Sequence, residues 1–300
     1  MELIENINLL SKKMDNTKCN KTLDNTNNTN NTNNKLIYFI HIPKTAGTTI
    51  EDIVYKDGSE FYKKNYKNKY CVGMCYYRSV IKRINNYYNI FLKKEYYNLL
   101  INNNINHWNM QFFHIPISFW KTNHIIEYKK KFNIFCIVRN PYDRIVSDFK
   151  FWIKFYQETS INEDLSKLFK NLLSQIKDIY ENNFDLTKKN MNKIINKLLS
   201  NEKYKYYLDG HLIPQYNHII AKINNTHIII PDYILRFENL HEEFTIFKNK
   251  FMPFINNSSI KTTYKHKTDT ILDINFLTIK NKKLIYDYYK KDFILLKYQK

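Results

Sequence analysis

Tyr38-Phe-Ile-His-Ile-Pro-Lys-Thr-Ala-Gly-Thr-Thr-Ile50 runs from an apolar strand through a loop of small residues into a helix start. Free N–H groups at a helix N-terminus point outward and their dipoles sum to a partial positive charge, so this junction attracts an anion. Lys44 adds a full charge, and Gly47 lets the backbone come close to a guest. Thr48 and Thr49 can cap the helix and offer hydroxyls, while Pro43 stiffens the entry where no N–H is needed. A phosphate-like group is the expected occupant, held by Lys44, Thr45, Ala46, Gly47, Thr48 and Thr49.

A second anion motif lies in Asn133-Ile-Phe-Cys-Ile-Val-Arg-Asn-Pro-Tyr-Asp-Arg-Ile-Val-Ser-Asp148. A buried strand ends at Arg139, the chain turns at Asn140-Pro141, and a helix begins with proline at its tolerated first position. Arg139 at the strand end and Ser147, nearly two turns into the helix, can converge on one anion. Neither motif is the loop of nucleoside triphosphatases, where lysine follows the second glycine and precedes a serine or threonine. Here lysine comes before the only glycine of the loop, and Gly-Lys-Ser/Thr is absent from the chain.

His41-Ile-Pro-Lys-Thr-Ala-Gly-Thr-Thr49 resembles the 5′-phosphosulfate loop of sulfotransferases that use 3′-phosphoadenosine 5′-phosphosulfate (PAPS). Arg139 and Ser147 have the spacing of that family's 3′-phosphate site. His211-Leu-Ile-Pro-Gln215, Asp232-Tyr-Ile-Leu-Arg-Phe-Glu-Asn-Leu240 and the closing Asp287–Tyr298 segment extend the likeness from Lys35 to Tyr298, with a gap between about 61 and 106. The likeness is to carbohydrate sulfotransferases of the heparan-sulfate 2-O, Golgi type, without their membrane anchor. It implies an α/β fold, a central parallel sheet flanked by helices, and in-line transfer of a sulfuryl group to an acceptor hydroxyl. Lys44 would then stabilise the departing phosphate, with no metal required. His114 in Phe112-Phe-His-Ile-Pro116 stands where similar enzymes carry their general base, and an imidazole suits proton abstraction near neutrality. His211 and Glu60 are the rivals for that role. His211 and Gln215 are candidate acceptor-binding residues, and Lys265 or Lys267, in a loop that resembles one closing over the nucleotide, adds a candidate phosphate contact.

The composition bounds these expectations. The chain has 300 residues, 43% hydrophobic, enough to bury one large α/β core. Its formal charge of +19 suits an anionic partner, yet the lysines are interleaved with asparagine and tyrosine rather than clustered. Cys19, Cys71, Cys75 and Cys136 form no zinc signature, which favours a reducing compartment; Cys136, inside an apolar strand, reads as a small buried hydrophobe. No secretory signal or membrane-spanning run is visible, so a cytoplasmic location is expected.

Along the chain, residues 1–34 include an Asn/Thr-rich tract that cannot bury a core and reads as disordered, followed by a sulfotransferase domain over 35–300. Strands are expected at 35–42, 111–115, 134–139, 227–231 and 233–237, and helices from 48, at 142–156, at 240–251 and at 275–296. Two amphipathic helices are expected between Asn162 and Leu199, forming a helical insert at about 160–205. Arg236 and Glu238 read as an ion pair or as helix anchors, and Asp143 and Arg144 as local helix-capping residues. Ligands of a parallel sheet sit at the carboxyl ends of its strands, where both anion motifs fall. The acceptor is read as a carbohydrate hydroxyl, with no nucleic-acid partner. The alternatives are an inactive nucleotide binder of the same fold and a basic nucleic-acid-binding protein.

Overall fold

The computed structural model describes residues 36–50, 53, 91–102, 114–181, 184–253 and 272–300. The expected disordered segment 1–34, Glu60, Lys265, Lys267 and all cysteines but Cys136 lie outside the described residues.

The fold is α/β, with a three-stranded parallel sheet among the described residues. Its strands β1 (Leu36–Ile40), β2 (Phe132–Val138) and β5 (Tyr233–Arg236) lie in the order β1-β2-β5. The register pairs Ile40 with Cys136 and Val138 with Arg236, so these strands finish at one edge. Their side chains alternate between two cores. Tyr38, Ile40, Ile134, Cys136, Val138 and Ile234 enter one, while Phe39, Phe135, Ile137, Tyr233 and Leu235 enter the other. Burial on both faces explains why these strands read as continuous apolar runs. Cys136 is fully buried among them, as its neighbours imply.

Helices close each face. The segments α1 (Lys94–Asn102) and α2 (Thr122–Lys131) belong to the first half, and α8 (Leu240–Phe251) packs Phe244 and Phe247 against the second core. The longest helix among the described residues, α3 (Pro141–Ser160), starts directly beyond β2. Asn140 caps it by accepting from the Tyr142 amide, and Pro141 sits where its missing N–H costs nothing. Against α3 pack α5 (Lys170–Tyr180), α6 (Lys188–Ser200) and α9 (Ile279–Tyr288), forming a third core around Trp152, Ile176 and Ile194. No helix among the described residues is long and apolar enough to cross a membrane.

Several local expectations need correction. The stretch 162–199 holds three helices, because α4 (Glu163–Leu168), capped by Asn162, stops at Phe169 where the backbone leaves helical geometry. His114 and Ile115 are not in a strand, and residues 111–113 fall outside the described part. The strand near 227–231 is β4 (Thr226–Ile229), antiparallel to β3 (Ile220–Ile223) and outside the parallel sheet. Asn224 and Asn225, both at positive φ, form the two-residue turn that suits such a hairpin. The closing segment is not one helix from 275 to 296: a 3-10 turn at Ile274–Phe276 precedes α9, and the backbone breaks at Tyr289 before α10 (Lys290–Leu296). That break delivers buried Asp292 to α7 (Gln215–Ile219), where its carboxylate accepts from the Gln215 and Tyr216 amides at 2.9 and 2.7 Å.

Arg144 is not a local capping partner. Almost fully buried, it donates from Nε to the Pro43 carbonyl at 3.0 Å, and from Nη2 to the carbonyls of His211 and Ile213 at 2.5 and 3.0 Å. One planar group thus joins α3, the loop after β1 and the segment before α7. Arg144→Ala would leave three buried carbonyls without this donor, at roughly 1–3 kcal/mol for each group left unsatisfied. The expected outcome is a urea midpoint far below wild type; an unchanged midpoint would show that these contacts add little.

Candidate active site

The loop after β1 adopts an unusual backbone. Lys44 and Ala46 have φ of 65° and 75°, whereas Thr45 and Gly47 between and after them do not share the positive sign. Alternation of this kind turns successive N–H groups into a concave anion nest. Positive φ in residues with a Cβ costs on the order of 1–2 kcal/mol each, so the loop is held in shape by its surroundings. The Thr45 hydroxyl is one of the restraints: fully buried, it donates to the Ile42 carbonyl at 2.8 Å. Helical backbone begins at Gly47, with Thr48 exposed and Thr49 buried.

Gly47 itself has no positive φ; its smallness is used against a ring. A Cβ there would stand 2.3 Å from Nε2 of His41, closer than any real contact. His41 in turn meets His114 edge to face, with centroids 4.9 Å apart, and His114 meets His211 in the same way at 5.1 Å. The chain of rings starts at the loop and ends in the segment before α7.

Arg139 stands beside the loop. Its Nη1 donates to the Lys44 carbonyl at 3.3 Å, and the guanidinium lies 4.1 Å over the Phe237 ring. Its Nε is buried without a hydrogen-bond partner among the described residues, as a donor waiting for an anion would be. Burial lowers the Arg139 pKa, opposed by the charges of Asp143 and Glu238. Ser147 is half-buried on α3, four residues after Asp143 and three before Lys150, hence on the same face as both.

Gln215, read from the sequence as an acceptor contact, is placed differently. It is fully buried, and its amide grips the Arg139 backbone from both sides: Oε1 accepts from the Arg139 N–H at 2.9 Å and Nε2 donates to its carbonyl at 2.8 Å. This fixes the end of β2. Arg236 and Glu238 do not pair with each other: Arg236 donates to the Leu296 carbonyl, while Glu238 accepts from the Asn140 amide and the Tyr298 hydroxyl. They are anchors.

The two rival bases meet in one cluster. His114 Nδ1 lies 2.7 Å from Oδ2 of Asp209, and His211 Nδ1 lies 2.6 Å from Oδ1 of Asp148. Each carboxylate engages its ring through Nδ1 and so orients Nε2 away from it. Burial pushes the His211 pKa down to about 4 despite Asp148, so the ring is neutral at physiological pH. His218, also fully buried and lacking a partner for either ring nitrogen among the described residues, is held neutral by burial and by nearby Arg144. Asp209 is presented by a strained turn, with Leu208, Asp209 and Gly210 all at positive φ.

Lys44 reaches the same cluster. Its Nζ sits 3.9 Å over the Phe151 ring, which stacks on His211 at 5.6 Å. Burial lowers its pKa to about 8, with Asp148 opposing the shift and Arg139 adding to it. The donor atoms of His114, Asp209 and His211 lie within 4.8 Å of one another, the kind of set that also attracts a divalent cation. Asp148, Asp209, His41, His218 and Phe151 went unassigned in the sequence. The one available signal was helical spacing: Arg144, Asp148, Phe151 and Trp152 follow an i, i+4, i+7, i+8 pattern on α3.

A Gly47→Ala chain is expected to lose anion affinity by at least tenfold, since either His41 or the loop must move; calorimetry with a nucleoside bisphosphate checks this. Wild-type affinity in that variant would mean that the loop does not hold the anion.

A model of the sulfotransferase family matches residues 27–299. No curated protein and no solved structure matches the chain. Because the matched span covers the parallel sheet, the loop, Arg139 and the histidine cluster, the chain belongs to the sulfotransferase family.

Proposed function

We propose that the chain transfers the sulfuryl group of PAPS to an acceptor hydroxyl of a carbohydrate. The observation that carries this reading is the Lys44–Ala46 nest just after β1, tied by the Lys44 carbonyl to Arg139, whose buried Nε has no hydrogen-bond partner among the described residues. The nest and Lys44 would take the 5′-phosphosulfate, with the amides of Thr45 to Thr49 as donors and the Thr45 hydroxyl reserved for the loop itself. Arg139 and Ser147 would take the 3′-phosphate, supported by the buried position of the guanidinium at the end of β2. Lys265 stands as a further phosphate contact by resemblance alone.

In the transfer, the acceptor oxygen attacks sulfur while the bond from sulfur to the bridging oxygen breaks. The electron pair stays on the departing 5′-phosphate, where the Lys44 ammonium stabilises it. The acceptor's proton goes to Nε2 of His114, whose Nδ1 is turned toward Asp209. His211, equally oriented by Asp148, borders the same space as an acceptor contact. No metal takes part in these steps. The carbohydrate acceptor rests on the resemblance of His211–Gln215 to carbohydrate-directed members, with Gln215 assigned to holding Arg139.

The first test is calorimetric titration with 3′-phosphoadenosine 5′-phosphate. Micromolar binding by wild type and a loss of about 100-fold in Arg139→Ala are expected, in line with removal of a charge-assisted phosphate contact. Absence of binding by folded wild type would sink the reading. A second test uses pH. Lys44 binds the anion as ammonium, and its pKa in the free protein is lowered to about 8, so affinity should fall as pH rises through that value. A profile flat from neutrality to about pH 10, where an ordinary lysine begins to titrate, would remove Lys44 from the site.

A further inference from the structure

We propose that Asp292 is a positioning residue for the donor site: acting through Gln215, it fixes Arg139 in the place from which the guanidinium meets the 3′-phosphate. The proposal rests on the donor-site reading of Arg139 and adds to it the two buried groups that set where the arginine stands.

Arg139 stands one residue past the end of its ladder. The last pairs of β2 are Cys136 with Ile40 on one side and Val138 with Arg236 on the other, so the register leaves the Arg139 backbone without a strand partner among the described residues. Gln215 supplies what the strands do not. Its carboxamide offers an acceptor and a donor in one plane, taking the Arg139 N–H at 2.9 Å and donating to the Arg139 carbonyl at 2.8 Å. The guanidinium beyond is held less firmly. Among the described residues it makes one hydrogen bond, from Nη1 to the Lys44 carbonyl at 3.3 Å, and lies 4.1 Å over the Phe237 ring with Nε unpartnered. The direction in which Arg139 reaches is therefore set chiefly by its backbone.

Gln215 needs fixing in turn, because it opens α7 behind Pro214, which offers no side-chain cap. The first amides of a buried helix start require acceptors from elsewhere. Asp292 provides two, taking the Gln215 N–H at 2.9 Å through Oδ2 and the Tyr216 N–H at 2.7 Å through Oδ1. Asp292 and Gln215 are both fully buried, so water does not replace these contacts. On the other side of Pro214, Arg144 holds the Ile213 carbonyl at 3.0 Å. Glu238 takes the next amide after Arg139, that of Asn140, at 2.7 Å, which holds the start of α3 and leaves Arg139 itself to Gln215. A series of hydrogen bonds thus runs from the α10 carboxylate through the α7 amide and the Gln215 carboxamide to the backbone of Arg139.

Asp292→Asn tests the series, because it keeps the size of the side chain and one oxygen while turning an amino group toward one of the two amides. The measurement is calorimetric titration with 3′-phosphoadenosine 5′-phosphate in a cycle of wild type, Asp292→Asn, Arg139→Ala and the double variant. Asp292→Asn is expected to weaken binding about tenfold when Arg139 is present. Where Arg139 is already alanine, the further loss is expected to stay below about twofold, the scatter of independent sites. An equal loss in both backgrounds, or no loss in either, overturns the proposal, since a merely structural role does not depend on Arg139. Should the variant not fold, deuterium exchange of wild type decides: slow exchange of the Arg139, Gln215 and Tyr216 amides is expected, and free exchange overturns the proposal. Absence of nucleotide binding by wild type would sink the donor reading and this inference with it, whereas additive losses remove only the role of Asp292.

Discussion

The buried guanidinium of Arg144 is the contact on which the site's geometry depends. It reaches the carbonyl of Pro43 on one side and those of His211 and Ile213 on the other, bringing together segments that are far apart in sequence. A lysine could not do this, since its single ammonium lacks a planar fork for three carbonyls arrayed around it. The same residue leaves α3 on the face of Asp148, so the helix, the loop and the His211 segment share one anchor. A charge in this position is tolerated because it is hydrogen-bonded along its plane and lies in the field of Asp292, which accepts from the amides that open α7.

Around that anchor the interior is arranged by charge. Cations gather toward the loop, where Lys44 and Arg139 stand at the ends of adjacent strands, and carboxylates stand behind the histidines. The strain in the loop belongs to the same arrangement. Lys44 and Ala46 hold backbone angles that an isolated peptide would leave, and the loop keeps them because Thr45, His41, Arg139 and Arg144 each engage a neighbouring group. The shape of the loop is therefore held by the protein's own contacts.

Much of this was legible in the sequence. Local signals carried it: apolar runs ending at a small-residue loop, and Asn-Pro at a helix start. The parallel sheet and α3 followed from these. What escaped was settled by tertiary contact. Nothing near Asp209 in sequence announces His114, and Gln215 looked like an acceptor contact until the backbone of Arg139 was found between its amide atoms. The helix breaks at Phe169 and Tyr289 lack the glycine or proline that usually marks such points, and the buried Tyr289 hydroxyl is tied to the Leu212 carbonyl instead. The β3–β4 hairpin did carry a signal, the Asn224-Asn225 pair, which asparagine-rich surroundings masked.

The two faces of α3 have a further consequence. Asp143, Ser147 and Lys150 line one side, and Arg144, Asp148, Phe151 and Trp152 line the other. Each added residue turns a helix by about 100° and lengthens it by about 1.5 Å. An insertion or deletion of a single residue between Asn140 and Ser147 would therefore swing both sides out of register together, moving the serine into the buried position of Asp148 on insertion or of Val146 on deletion. Side chains on α3 can be exchanged one at a time, but the residue count between the end of β2 and Phe151 is a length standard, setting how far the histidine cluster stands from Arg139 without any contact between them.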